Sequence, residues 1–350
     1  MRIQKFRGNM QFQNEKLKVY YLGSDEVSVP VLKTLHASNE IELIGCGTQP
    51  DRPQGRKRVL QANPVGQWCE EAGVDVDKIS NVNQHDFISR LSILAPHIIL
   101  VFAFGQLLKK QLLELAPLGC LNIHTSLLPK YRGASPIQAA ILNSDSKTGV
   151  SYMQMEEGLD SGPVFYQVEL PLKQTEDYSS LSTQLADLAA KNTLEVLEGI
   201  ASQKLQSQVQ DASLVNHVGK IKKEDGKIRW DLDANQIACM VRAYVPWPGA
   251  WFMLSSKGKL KKITITKSSV IETVDKQDYQ PGQTVSADKT GWVVACGRNN
   301  LLIERLIPEG KREMDSASFI RGSNLEVGTF LNETDHSKLR EPSDKDLITG

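Results

Sequence analysis

Short apolar runs alternate with amphipathic segments along the first third of the chain, and no other feature limits its fold so strongly. Residues 17–22 are mostly apolar and end at Gly23; residues 26–37 place Val27, Val31, Leu32 and Leu35 on one side of a helix; residues 41–47 read as a second strand. That is a β-α-β unit, and the pattern continues with helices expected over 64–72, 86–94 and 107–115 and strands over 97–102 and 121–123. Strands separated by helices pack as parallel neighbours, so the expected fold class is α/β, with a doubly wound, mostly parallel, Rossmann-like sheet. The first turn, Gly23-Ser24-Asp25-Glu26-Val27-Ser28, lacks the GxGxxG spacing, so a dinucleotide site of the usual kind is not supported.

Further strands are expected over 149–155 and 164–172, then a long helix over 178–199 whose Leu181, Leu185, Leu188 and Leu197 can face the core. Residues 201–211 are rich in Gln and Ser and poor in apolar side chains, which is the texture of a linker. Beyond Arg229 a helix over 234–244 precedes Pro246-Trp247-Pro248-Gly249, and closely spaced strands over 250–254, 260–268, 291–296 and 301–307 predict a smaller C-terminal OB-like β-barrel. A chain of 350 residues exceeds one ordinary core. The expected organisation is a disordered extension at 1–16, a catalytic domain at 17–200, a linker at 201–220, the barrel at 221–331 and a charged tail at 332–350.

The stretch Asn122-Ile123-His124-Thr125-Ser126-Leu127-Leu128-Pro129 ends a strand with two polar side chains at i and i+2. On a strand these share one face, at the place where open α/β sheets carry their chemistry. Farther on, Gly158 and Gly162 bracket Asp160 in a tight connection between strands, which presents a carboxylate at a fixed angle. Singly, each motif also has a plain structural reading, since Pro129 and Gly133 are turn formers and β-turns favour Asp. Jointly, an amide, an imidazole and a carboxylate suit acyl transfer to an amine without a covalent intermediate. The Asn amide and a His N–H can stabilise the oxyanion, and the carboxylate can accept the amine's proton directly or through water.

The net charge is zero but uneven: +4 over residues 1–60, −6 over 61–210, +6 over 211–270 and −4 over 271–350. Arg52, Arg56, Lys57 and Arg58 crowd a loop that Pro50 and Pro53 keep from continuing the second strand, and Lys220, Lys222 and Lys223 open the second basic block. Either block can be a solvated face; together they can hold one polyanion. Five cysteines without a CxxC pair indicate neither a disulfide framework nor a zinc site, so a reducing cytoplasm and no metal are expected, with Cys120 a buried thiol. The first residues lack the apolar h-region of a secretory signal, and no apolar run approaches the roughly 18 residues that span a bilayer, so no membrane partner is expected. His36, His85, His97, His217 and His336 show no ligand spacing, and Trp247 fits either a hinge or an RNA-stacking ring.

Asn122-x-His124, the Ser126-Leu127-Leu128-Pro129 turn, Arg132-Gly133, Pro136-Ile137-Gln138 and Gly158-Leu159-Asp160 together resemble the methionyl-tRNA formyltransferases, from about Lys18 to about Arg321. The catalytic motifs belong to formyltetrahydrofolate-dependent transferases at large; the loop Gln49-Pro50-Asp51-Arg52-Pro53 and the C-terminal segment resemble the tRNA-acting branch. The resemblance implies that Asn122, His124 and Asp160 are catalytic and that 10-formyltetrahydrofolate is the co-substrate. It also implies that Ser126, Leu127, Leu128, Pro129, Phe102 and Gly105 lie at the folate site. It further implies that Arg56 reads the acceptor end of initiator methionyl-tRNA, the partner, with Arg52, Lys57, Arg58, Lys220, Lys222 and Lys223 as further tRNA contacts. The expected state is a cytoplasmic monomer. The chain departs from the family at Thr125, at Ser161 and at Lys57, where a glycine is usual and backbone freedom is lost. Two rivals remain at this point: a sugar-amine formyltransferase with the same trio, and a tRNA-binding factor on an inactive transferase fold.

Overall fold

The computed structural model describes residues 15–54, 59–256, 259–273, 279–323 and 325–331. Most of the expected 1–16 extension, the basic residues Arg56, Lys57 and Arg58, and the 332–350 tail lie outside the described residues. The chain divides into two compact units, the first taking the described residues up to Ala140 and Ser144–Lys220, the second Ile141–Asn143 and the described residues from Ile221.

The first unit runs β1 (Leu17–Gly23), α1 (Val29–Ala37), β2 (Ile41–Thr48), β3 (Arg52–Gln54), β4 (Val59–Gln61), α2 (Pro64–Ala72), β5 (Val76–Lys78), α3 (His85–Leu94), β6 (Ile98–Phe102), α4 (Lys110–Leu113) and β7 (Cys120–His124). Then come β8 (Arg132–Gly133), α5 (Pro136–Leu142), β9 (Lys147–Gln154), β10 (Val164–Pro171), α6 (Tyr178–Ala201) and β11 (His217–Val218). The main sheet has the order β10-β9-β7-β6-β1-β2-β5. Its β7, β6, β1, β2 and β5 are parallel, and β9 and β10 add an antiparallel edge.

Strand periodicity decides which side chains meet. Tyr20 and Leu22 of β1 and Ile99 and Val101 of β6 point to one face, where Phe87 and Leu91 of α3 and Leu112 of α4 close a buried cluster. On α6 the Ala189 carbonyl accepts from the Tyr152 hydroxyl of β9 at 2.6 Å, with the Thr193 hydroxyl 3.3 Å from the same oxygen, fixing that helix over the antiparallel edge. Helix α2 starts at Pro64 behind an Asn63 cap, whose side chain accepts from the Gly66 amide at 3.1 Å, and ends at Gly73 in the left-handed region.

Two expectations differ from the structure. Helix α4 is four residues, not the expected 107–115. Gln106 donates to the Ile79 carbonyl and accepts from the Val82 amide, while Asn83 takes the Leu107 carbonyl and the Lys109 amide, so the chain before Lys110 is bound to its neighbours instead of to itself. The stretch expected as a linker, 201–220, lies within the first unit: β11 pairs in parallel with β8, and Gln208 and Val164 exchange backbone hydrogen bonds. Its polar composition concealed side chains that bond to the unit's own backbone.

The second unit contains α7 (Ala234–Ala243), β12 (Ala250–Ser256), β13 (Lys259–Ile271), β14 (Thr284–Asp288), β15 (Gly291–Ala295), β16 (Asn300–Pro308), β17 (Met314–Asp315) and α8 (Ser316–Arg321). It is antiparallel and strand-rich, with the order β12-β13-β16-β15-β14 and β17 beside β16. A separate antiparallel, strand-rich C-terminal domain is what the sequence led one to expect. Register shifts near Lys267 bend β13. The core centres on Trp292, fully buried, edge-on to Phe252 and stacked on Phe319.

Candidate active site

Strand β7 is paired on both sides, with Asn122 opposite Val101 of β6 and Met153 of β9. Its last residues are therefore held as rigidly as any in the sheet. Asn122 is half-buried, and among the described residues no hydrogen bond engages its side-chain amide. His124, on the same face, is buried, and its Nε2 lies 2.9 Å from the Tyr131 carbonyl oxygen. A carbonyl only accepts, so Nε2 carries a proton, and it is Nδ1 that faces the site and can take up or release one.

The turn that returns Tyr131 to His124 is fastened from beneath. Ser151 on β9 donates to the Ser126 carbonyl at 2.6 Å and accepts from the Leu128 amide at 3.0 Å, while Gln167 on β10 donates to the Leu128 carbonyl at 2.8 Å. Tyr131 itself has φ +60 and is anchored through its hydroxyl, which donates to Asp145 at 2.9 Å.

Asp160 approaches from the β9–β10 connection. Its Oδ2 lies 3.7 Å from His124 Nδ1 and accepts from the Gly133 amide at 2.8 Å. The carboxylate is mostly buried, at 14% exposure, so its attraction for a proton or cation on His124 is screened far less than at the surface. Asp160 also has φ +48, an uncommon conformation for a residue other than glycine. From the other side, Gln210 donates to the Asp160 carbonyl at 2.8 Å and to the Gly162 carbonyl at 2.7 Å.

A cavity of about 280 Å³ opens nearby, lined by Ser24, Asp25, Gln49, Arg52, Asn63 and Gly105 among others. It sits where the chain, having run from β1 outward to β2 and β5, returns to β6 on the other side of β1. That reversal is the topological switch point at which α/β sheets bind ligands. A polar network holds its walls. Ser24 accepts from the Gln49 amide at 3.0 Å, Thr48 donates to Asn63 at 2.7 Å, and Gln49 donates to the Phe104 carbonyl at 2.6 Å and receives the Arg52 guanidinium.

The structure thus brings Asn122, His124 and Asp160 to one place and puts Gly105 and Arg52 on the adjoining cavity. It does not present the other expected folate residues equally. Phe102, Ser126 and Leu128 are buried, with Ser126 donating to the Lys130 carbonyl, so as they stand they shape the framework around the site. Leu127 and Pro129 are half-buried. Lys220, Lys222 and Lys223 are exposed. Cys120 donates to the Leu112 carbonyl at 3.6 Å, and burial pushes its thiol well above the ordinary value, so it is no nucleophile. Among the described residues no His, Cys, Asp or Glu group could hold a metal, and no helix is long and apolar enough to cross a membrane. Sequence reasoning missed Gln210, Asn216, Ser151, Gln167 and Asn63; only Gln49 had a signal, its place in the Pro50-Asp51-Arg52-Pro53 loop.

A formyl transferase family model matches residues 17–197, and a model of the formyl transferase C-terminal domain matches residues 220–324. The methionyl-tRNA formyltransferase of Desulfotalea psychrophila is 34% identical over 325 residues, covering 93% of this chain and 98% of that protein. That of Geobacter sulfurreducens is 35% identical over 318 residues, covering 91% and 97%. Among solved structures, WlaRD, a sugar 3N-formyl transferase crystallised in the presence of dTDP and 5-N-formyl-THF, aligns with a TM-score of 0.58 at 14% identity. It covers 85% of this chain and 100% of its own, a likeness of fold alone. Matched by two of the family's models in succession and aligned almost end to end with enzymes that bear its name, the chain belongs to the formyl transferase family.

Proposed function

We propose that the protein transfers the formyl group of 10-formyltetrahydrofolate to the α-amine of initiator methionyl-tRNA, acting as a cytoplasmic monomer in translation initiation. The observation that carries the transfer chemistry is the arrangement at the end of β7, an unengaged Asn122 amide beside a His124 ring whose Nδ1 faces Asp160 at 3.7 Å; the acceptor is supported by the near end-to-end likeness to methionyl-tRNA formyltransferases. A free α-amine has an ordinary pKa of about 7.7–8.0, so near neutrality an appreciable fraction is ready to attack.

As the amine nitrogen bonds to the formyl carbon, negative charge develops on the formyl oxygen. Asn122 is placed to donate to it from a rigid strand end. The His124 geometry modifies the expectation drawn from sequence, because its Nε2–H is already given to Tyr131. The ring's part is at Nδ1, which accepts the proton that the attacking nitrogen must lose and becomes an imidazolium facing Asp160. The bond between the formyl carbon and the folate nitrogen then breaks, and that nitrogen takes the proton from the imidazolium. The chain ends with its own protonation states restored, so no covalent enzyme intermediate and no metal enters.

The switch-point cavity, with Gly105 on its wall, takes the folate donor, while Arg52, held by Gln49 at the cavity's edge, Arg56 and the lysines of the second basic block bind the tRNA. The experiment is direct. The protein is incubated with labelled formyl-folate and either charged initiator tRNA or nucleotide-sugar amines. Label is expected in the tRNA, with turnover reduced about 10²- to 10⁴-fold in Asp160→Asn and discrimination for initiator tRNA lost in Arg56→Ala. Label in sugar amines alone, or full activity in both variants, overturns the assignment.

A further inference from the structure

Residues 198–219 fall between the two family models, yet this stretch bonds to the catalytic groups from outside. Resting on the function proposed above, we infer that Gln210 is a positioning residue for formyl transfer, fixing the Asp160 carboxylate against His124 by clamping the turn that carries it.

A glutamine side chain has two N–H donors and two acceptor lone pairs. Gln210 uses all four. Its Nε2 donates to the carbonyls of Asp160, 2.8 Å, and Gly162, 2.7 Å; its Oε1 accepts from Arg132 Nε, 3.0 Å, and Nη2, 2.8 Å. Arg132 is the residue next to Gly133, whose amide donates to the Asp160 carboxylate. One side chain therefore ties the backbone of Asp160 to the strand that holds its carboxylate.

The rest of the stretch is bound to the same small region. Asn216 accepts from the Tyr131 amide, and Tyr131 is the residue whose carbonyl fixes the His124 tautomer. His217 and Val218 pair with Arg132 and Gly133, and Gln208 exchanges hydrogen bonds with Val164, just beyond the Asp160 turn. The clamp has something to restrain. Asp160 sits at φ +48 in a turn so close-packed that a Cβ on Gly162 would lie 1.9 Å from the Gln154 carbonyl oxygen. Removing the donors to the Asp160 and Gly162 carbonyls frees such a turn to relax, and the 3.7 Å separation from Nδ1 is what relaxation changes.

The test uses the full chain with Gln210→Met, close in shape but without hydrogen bonds, and Gln210→Glu, which keeps the acceptor for Arg132 and loses both donors. Misplacement of a catalytic group costs on the order of 10²-fold per ångström, so kcat is expected to fall about tenfold to a hundredfold in both variants, with KM for both substrates unchanged. A residue acting only through Asp160 should have nothing left to lose once Asp160 is disabled. Gln210→Met in the Asp160→Asn background is therefore expected to leave kcat where Asp160→Asn alone puts it.

Amide hydrogen exchange reads the clamp without relying on any substrate. Exchange at residues 156–162 and at Gly133 should accelerate in Gln210→Met while α6 keeps its wild-type protection. Full kcat in both Gln210 variants, a loss that simply adds in the double variant, or unchanged exchange in the turn each overturns the inference. Should the wild-type chain form no formyl-methionyl-tRNA at all, the functional reading fails, and the exchange comparison still decides whether Gln210 holds Asp160.

Discussion

Replacing Gly133 by alanine should injure the site through two separable effects. Its φ of +116 lies in a region that side-chain-bearing residues rarely adopt, and a Cβ there would stand 2.2 Å from the Val218 backbone oxygen. The oxygen belongs to backbone, so it cannot swing aside as a side chain would; β8 and β11 must separate. Holding a non-glycine residue in so sparse a region costs about 1–3 kcal/mol. The displaced Gly133 amide also leaves the Asp160 carboxylate, and a hydrogen bond to a charged group contributes about 1.5–3 kcal/mol. Together these predict a stability loss of about 2.5–6 kcal/mol, read as a lowered urea midpoint. About 2 kcal/mol of lost transition-state positioning would lower kcat roughly 30-fold. Gly73→Ala is the control: φ is +67 there, but nothing lies within 4 Å of the added methyl, so it should cost about 1 kcal/mol and leave kcat intact. If Gly133→Ala matches that control in both urea midpoint and kcat, the reasoning about β8 and Asp160 is wrong.

Three further outcomes are expected. Burial, and then the nearby Lys18 charge, hold the His97 pKa below its ordinary value, and its Nδ1 accepts from the Lys18 amide at 3.1 Å. The unfolded chain therefore binds the extra proton first, so the stabilisation is complete above about pH 6.5 and is lost as pH falls through the folded value; His97→Gln should flatten the stability–pH curve there. Trp292→Ala, which empties the centre of the second unit, should cost about 3–5 kcal/mol in urea unfolding, and a loss under 1 kcal/mol would contradict the core described for that unit. Replacing Lys222 and Lys223 together by alanine should weaken tRNA binding and reduce its salt slope by about one per lysine, and an unchanged slope would remove both from the interface.

Hydrophobic periodicity made most of the architecture legible. The strands at the start of β1, β2 and β6 and helix α2 follow from local pattern, since each buries one stripe or alternate side chains against a single sheet. Elements whose stability comes from elsewhere were not legible. β14 is short, with Thr284 buried beside Trp292, and β8 and β11 are two-residue strands that exist only because they meet. The shortened α4 makes the same point in reverse: its apolar spacing suits a helix, but Gln106 and Asn83 offer its first residues better partners.

The candidate site divides along the same line. Asn122 and His124 could be read because a strand end imposes their geometry, and Asp160 because two glycines announce its turn. The residues that aim them could not. Gln210 lies 50 positions from Asp160 and 78 from Arg132, in a Gln-rich stretch where one glutamine looks like the next. Ser151, a small polar residue inside a buried strand, reads as a flaw in the pattern until the Ser126 carbonyl and Leu128 amide are seen to need it. A chemical group carries its identity in the sequence, but its aim is set by backbone groups that other segments must satisfy. Those obligations are long-range, and the tight turn at Asp160 does not meet them from within. The polarity of residues 201–220 is thus a requirement of the first unit, because an apolar stretch there would leave the Asp160 and Gly162 carbonyls and the Arg132 guanidinium without these partners.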